Sequence, residues 1–122
     1  MDIDQVLNEN PSKMARIGQE AEDLRLTWQT NKETYEREES SMSLQFKAKN
    51  ERKTATEIKC MVLNHTDLYE KRLALIVLEA GYRRKLKDLD ALEQELNSAK
   101  ILSRIKMSEL NNIEFGLRGG KV

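Results

Sequence analysis

The chain has 122 residues, equal numbers of basic and acidic side chains, and 34% charged residues overall. One proline, five glycines and 5% aromatic residues are too few for a turn-rich all-β fold or for a large globular core. Cys60 is the only cysteine, which excludes an intramolecular disulfide and a two-cysteine metal site. The composition predicts an all-α protein of long helices with narrow apolar stripes.

The amino terminus, Met-Asp-Ile-Asp-Gln, is acidic where a secretory signal is basic. The longest apolar run covers residues 73–78, far short of the roughly 20 residues that span a bilayer. These features predict a cytoplasmic protein with no membrane partner.

Charge is distributed unevenly along the chain. Residues 1–45 carry five basic and ten acidic groups, whereas residues 46–122 carry sixteen basic and eleven acidic groups. This asymmetry favours either an electrostatically steered contact between copies or a basic half that binds a polyanion, and charge alone does not choose between them.

A first helix is predicted over residues 11–53, because Asn10 can accept from free backbone N–H groups and Pro11 suits a first helical turn. Residues then recur at spacings of three and four, as in a coiled-coil seam. The seam consists of Met14, Ile17, Ala21, Leu24, Trp28, Asn31, Tyr35, Glu38, Met42 and Gln45. Its polar members in the second half either fix the register or mark a stripe that drifts around a loosely packed helix.

A short helix is predicted over residues 55–64. Thr54 and Glu57 form a capping-box pattern, in which each side chain reaches a free backbone amide of the other residue. The sequence Asn64-His65-Thr66 then interrupts the helical pattern.

The last predicted helix is the longest and covers residues 67–112, followed by a flexible tail at 113–122. One face carries Leu75, Leu78, Tyr82, Leu86, Leu89, Leu92, Leu96, Ala99 and Leu102. A helix that is apolar on every side must be buried on every side, and residues 73–78 are of this kind. We therefore predict a single helical domain over 1–122, a coiled-coil-like hairpin with a short linker helix, which oligomerises. The expected oligomer interface consists of Leu73, Leu75, Ile76, Val77 and Leu78.

No catalytic or metal-binding motif is present in the sequence. His65 is the only histidine, and the neighbouring Asn64 and Thr66 offer it no metal ligand or nucleophile. The chain also contains neither a Gly-rich phosphate loop nor a nucleophile elbow. We predict a protein that is not an enzyme and that needs no metal or cofactor.

Basic residues form three clusters, near residues 47–59, 83–87 and 100–106. A single such cluster is commonly a solvated helix face, whereas repetition around an oligomer would produce a stripe that neutralises phosphates cumulatively. An aromatic ring nearby could stack on unpaired bases. The predicted nucleic-acid-binding residues are Phe46, Lys47, Lys49, Arg52, Lys53, Lys59, Arg83 and Arg84.

Residues 44–116 resemble the carboxy-terminal half of UvsY-like recombination mediators of bacteriophages. The resemblance is carried by the run from Thr56 to Lys59, by Asp67 ahead of an apolar helix start, by the leucines at 86, 89 and 92, and by the segment from Ser98 to Glu109. It implies a ring-like homo-oligomer that binds single-stranded DNA, contacts a single-strand-binding protein and helps load a RecA-type recombinase. The positions that match the family's DNA-contacting stretch are Phe46, Lys47, Lys49, Arg52 and Lys53.

Three functions therefore stay open at the level of the sequence. The first is a recombination or replication accessory protein that holds single-stranded DNA. The second is a coiled-coil interaction module, such as an adaptor, an assembly chaperone or an inhibitor of a host protein, that binds no nucleic acid. The third is a virion structural or scaffolding component.

Overall fold

Three helices follow one another along the chain: α1 (Ile3–Lys49), α2 (Ala55–Leu63) and α3 (Thr66–Gly119). The computed structural model describes the backbone of residues 1–119 and the side chains of residues 1–113. No strand occurs within that part of the chain, and the predicted all-α fold is confirmed.

The first helix begins at Ile3, earlier than the predicted start at Pro11. Asp2 provides the cap, because its Oδ1 accepts a hydrogen bond from the backbone N–H of Gln5 at 3.2 Å. Asp4 adds a negative charge to the first turn, where the helix dipole favours it. Pro11 therefore lies inside the helix, at an exposed position where its ring faces solvent.

The end of α1 and the start of α2 are set by local side-chain hydrogen bonds. α1 stops at Lys49, before the predicted residue 53, and the side chain of Asn50 donates to the Phe46 carbonyl oxygen at 3.0 Å. Four residues later, Thr54 Oγ1 accepts from the backbone N–H of Glu57 at 3.2 Å. The threonine half of the predicted capping box is thus confirmed, and α2 begins at the next residue.

The last helix starts at Thr66, within one residue of the prediction, and continues to Gly119. Residues 113–119, predicted to be part of a flexible tail, are helical instead. No glycine or proline interrupts the chain between Tyr82 and Phe115, so local sequence does not stop the helix there. The remainder of the predicted tail, 120–122, lies outside the described residues.

The chain divides into two compact units, and the single domain over 1–122 stays a prediction. Unit 1 comprises Met1–Gln19 together with the described residues from Lys85 onward, and unit 2 comprises Glu20–Arg84. In each unit a stretch of α1 packs against a stretch of α3. Pairing of the two long helices is therefore confirmed, whereas coiled-coil geometry and oligomerisation stay predictions.

The core of unit 1 is small and contains one buried polar side chain. Val6 packs with Leu96 and Ala99, and Ile3, Leu7 and Met14 pack around them. Asn10 is only 2% exposed. Its Nδ2 donates to the Leu92 carbonyl oxygen at 3.2 Å and to Glu95 Oε1 at 3.4 Å. The prediction that Asn10 caps a helix start is wrong, because its amide joins α1 to α3.

The core of unit 2 is formed by all three helices. Tyr35 of α1, Ile58 and Val62 of α2, and Leu68 of α3 are buried together. Met42, Phe46 and Leu75 pack against this cluster. α2 therefore covers part of the α1–α3 pair in unit 2. The Arg72 guanidinium of α3 also contacts the last residue of α2, because it donates a hydrogen bond to the Leu63 carbonyl oxygen at 3.1 Å.

Within the described residues, no helix has a segment both long and apolar enough to cross a bilayer.

Candidate functional site

The predicted basic residues around the end of α1 come from three consecutive pieces of the chain. Lys47 and Lys49 lie in the last turn of α1, where positive charge complements the helix dipole. Arg52 and Lys53 lie in the connector, and Lys59 lies on α2. All five side chains are exposed.

Three of these residues line one groove between α1 and α2. The groove has a volume of about 380 Å³ and lies entirely within unit 2. Its lining consists of Glu39, Ser43, Leu44, Lys47, Lys53, Ala55, Ile58, Lys59, Val62 and Leu63. The structure therefore brings Lys47, Lys53 and Lys59 to one concave surface with an apolar floor, whereas Lys49 and Arg52 lie outside the lining.

The cations of this region are not neutralised by the protein. Among the described residues, no carboxylate lies within ion-pair distance of Lys47, Lys49, Arg52, Lys53 or Lys59. Lys53 Nζ lies 3.8 Å from the sulfur atom of Met61. Residues 46–59 include five basic and two acidic groups, so this segment has a net charge of +3. Unpaired ammonium groups of this kind can bind an anionic ligand without first breaking an ion pair.

Glu39 is the only acidic residue in the groove lining and interacts with Tyr35 below it. Burial and the hydrogen bond to the Glu39 carboxylate raise the pKa of Tyr35 above its ordinary value, and the nearby Arg72 guanidinium opposes this shift. The Glu39 carboxylate is therefore directed partly toward the core, and the three lysines dominate the charge of the groove.

Phe46, the aromatic member of the predicted site, is not part of the groove lining. It is half-buried and packs against the core of unit 2. Its ring centroid lies 6.3 Å from that of His65, with the two rings tilted by 56°. The ring thus packs against the core of unit 2 and lies outside the groove that the three lysines line.

Arg83 and Arg84 are also absent from the groove. Both are exposed on α3, and Arg83 donates to Glu79 Oε1 at 2.6 Å. The two arginines form a separate basic position, one member of which is already paired.

The apolar run at 73–78 is divided between two faces of α3. Leu75 packs against the core of unit 2, and Leu78 is half-buried. Leu73, Ile76 and Val77 are exposed, and Val77 keeps 70% of its surface in solvent. Tyr69, which the sequence analysis missed, is exposed on the same face, as its spacing of four from Leu73 would have indicated. These four side chains are hereafter called the outer patch.

A second set of exposed apolar residues lies on α3 in unit 1. It consists of Ile101, Leu102, Ile105, Met107, Leu110 and Ile113. The buried contacts of α3 in this unit end at Ala99, which packs with Val6 near the start of α1. Past that point only the first few residues of α1 remain, so the described residues leave this apolar surface uncovered.

The described residues contain no group of three or more His, Cys, Asp or Glu side chains arranged to hold a metal ion. His65 is half-buried, and its Nδ1 has no hydrogen-bond partner among the described residues.

The apolar floor of the α1–α2 groove is the feature that the sequence does not predict. Leu44 and Leu63 fall outside both predicted seams. Each is a large apolar residue close in sequence to the basic cluster at 47–59, and this is the sequence signal that could have indicated the floor.

No protein-family model, curated protein or solved structure matches this chain.

Proposed function

We propose that this protein is a non-enzymatic, oligomeric accessory protein of DNA recombination or replication. It binds single-stranded DNA on the basic surface around the α1–α2 groove and helps to load a RecA-type recombinase on that DNA. The observation that carries the proposal is the convergence of Lys47, Lys53 and Lys59, all unpaired, on one concave surface.

Counterion release would favour DNA binding on this basic surface. Each phosphate that a lysine neutralises releases condensed counterions from the DNA, and the gain adds up over successive contacts. A single chain offers three lysines in the groove, with Lys49 and Arg52 nearby in the sequence. Several copies joined together would present this set repeatedly to one strand, and binding of the first site would raise the effective concentration at the next.

The outer patch supports association between copies. Leu73, Ile76 and Val77 have about half or more of their surface in solvent. Full burial of an exposed side chain of this size contributes about 1.5–3 kcal/mol, and covering the exposed part of each would contribute a share of that. Sedimentation of Val77→Asp tests this part of the proposal. We expect a lower mass than for the wild type, whereas Leu26→Asp, at an isolated exposed leucine of α1, should sediment as the wild type does.

DNA binding is tested by fluorescence anisotropy with a labelled oligothymidylate over a series of salt concentrations. The logarithm of the binding constant should fall linearly with the logarithm of salt, by about 0.7 for each phosphate contacted. Lys47→Glu, Lys53→Glu and Lys59→Glu should each weaken binding and reduce this slope. Lys13→Glu is the control for the charge change, because it makes the same change on an exposed residue of unit 1, where Lys13 is paired with Glu9. No binding at low salt, or an equal loss with Lys13→Glu, would contradict the proposal.

Loading is tested by adding the protein to single-stranded DNA covered with single-strand-binding protein and following the assembly of a RecA-type recombinase filament. We expect faster assembly with the wild type than with Lys53→Glu. Equal rates of filament assembly for the two proteins would mean that DNA binding on this surface does not contribute to loading, and would contradict the proposed role in recombinase loading.

A protein-interaction module is the second candidate function, and the uncovered apolar surfaces of α3 favour it. A module of this kind would bind an apolar helix of another protein and would leave the lysines in solvent. Absence of oligonucleotide binding at every salt concentration, together with a stoichiometric protein complex that Val77→Asp disrupts, would identify it.

A further inference from the structure

The floor of the α1–α2 groove has no role in phosphate binding. Leu44 is 69% exposed and Leu63 is 39% exposed, and both lie among the lysines that line the groove. Beneath them Ile58 and Val62 are buried in the core. Two large apolar side chains are therefore open to solvent in a groove that three lysines without ion pairs also line.

A ligand that suits this surface must combine an apolar face with negative charge. Apolar surface that a ligand removes from water contributes to binding, and the lysines add attraction for anions. Duplex DNA presents its charged backbone and the edges of its bases, whereas the faces of its bases are stacked in the interior. A single strand presents phosphates and unpaired base faces together, and an unpaired base can pack against apolar side chains.

The size of the groove favours a single planar group over a helix. A helix that binds in a groove uses anchors at i, i+3, i+4 and i+7, which need an extended apolar surface. Here the exposed floor consists of Leu44 and Leu63. The volume of about 380 Å³ is at the lower end of the roughly 300–1,000 Å³ of small-ligand sites.

We propose that the groove receives one unpaired base of a single strand, with its ring against Leu44 and Leu63 and its flanking phosphates on Lys47, Lys53 and Lys59. This inference rests on the proposed function and deepens it, since it states how the protein selects single strands over duplex. It also replaces the aromatic contact predicted for Phe46, whose ring is used in the core.

The test compares two labelled oligonucleotides of equal length and charge, an oligothymidylate and an abasic strand, by anisotropy with the full chain at one salt concentration. The wild type should bind the oligothymidylate at least about fivefold more tightly, a modest factor for a base on an aliphatic floor. In Leu44→Ser and Leu63→Ser this ratio should fall toward one. Leu26→Ser, at an exposed leucine of α1 outside the groove, should keep the wild-type ratio.

Each alternative has its own result. A wild-type ratio of one overturns the inference and leaves phosphate binding intact, whereas no binding of either strand overturns the proposed function itself. Displacement of the strand by micromolar thymidine monophosphate would assign the groove to free nucleotides and contradict the strand contact. A lower sedimentation mass for Leu63→Ser than for Leu26→Ser would assign it to a second copy of the chain and likewise overturn the inference.

Discussion

Replacing Asn10 by aspartate distinguishes between two roles of this residue, a buried contact between helices and a helix cap. If Asn10 capped a helix, aspartate would serve almost as well, because the two residues are nearly equivalent at that position. In the structure, however, the Asn10 amide is 2% exposed and acts as a donor to Leu92 and Glu95. A carboxylate has no hydrogen to donate, so it would face a carbonyl oxygen and a second carboxylate.

The expected loss of stability follows from these contacts. Two hydrogen bonds of ordinary strength contribute about 1 kcal/mol each, and a buried acceptor left without a donor adds a further desolvation cost. We expect Asn10→Asp to lower the free energy of unfolding by about 3 kcal/mol, which corresponds to a fall of roughly 10 °C in the melting temperature for a chain of this size. Asn10→Ala should cost less, because it removes the bonds without adding a charge.

Thermal and urea unfolding followed by circular dichroism measure this effect. All variants should be compared at one protein concentration, since association changes the apparent stability. Asn8→Asp is the matched control, because Asn8 is exposed on the same helix and the chemical change is identical. Equal stability of the Asn10→Asp and Asn8→Asp variants would refute the buried contact.

Three further predictions concern single side chains in the two units. Leu68→Ala should cost about 2–5 kcal/mol because Leu68 is 2% exposed in the core of unit 2, whereas Leu26→Ala, at a 51% exposed position outside the outer patch, should change stability by less than about 1 kcal/mol. Pro11→Ala should stabilise the protein by about 1–3 kcal/mol by restoring an interior helical hydrogen bond, and destabilisation would mean that the helix does not run through residue 11. The raised pKa of Tyr35 means that the folded state holds its proton more tightly, so stability should fall as pH rises above about 10. Tyr35→Phe should lose this pH dependence, and an unchanged alkaline unfolding profile would argue against it.

Local signals predicted those parts of the fold that depend on local physics. Thr54 caps α2 by accepting a hydrogen bond from the Glu57 amide, only three residues away, and a contact this local can be predicted from a sequence pattern. The seam at spacings of three and four correctly marked Ala21 and Tyr35 as buried, since helical periodicity determines which face a residue occupies.

The errors came from contacts between distant residues. Asn10 and Pro11 look like a helix start, but Asp2 provides an earlier cap and the partner of Asn10 lies 82 residues away. Periodicity also does not reveal how α2 lies against α1, so it does not show that the Phe46 ring packs against the core of unit 2. The groove was missed for the same reason, because Leu44 and Leu63 become neighbours only when the two helices pack.

The separation between paired residues also sets an expected order of folding. In unit 2, the ion pair of Lys71 with Glu38 joins residues 33 positions apart, and Arg72 reaches Leu63 over nine. In unit 1, the Asn10–Leu92 hydrogen bond closes a loop of 82 residues, which costs about 0.8 kcal/mol more in chain entropy than a 33-residue loop.

Because unit 2 supplies the chain between the two halves of unit 1, its formation shortens the loop that unit 1 must close. We therefore expect unit 2 to form first and unit 1 to close afterwards. During synthesis the order is the same, since Arg84 leaves the ribosome before Leu92 and Leu96. The amino-terminal part of α1 can therefore pack in unit 1 only after the stretch of α3 around Leu92 and Leu96 has been synthesised.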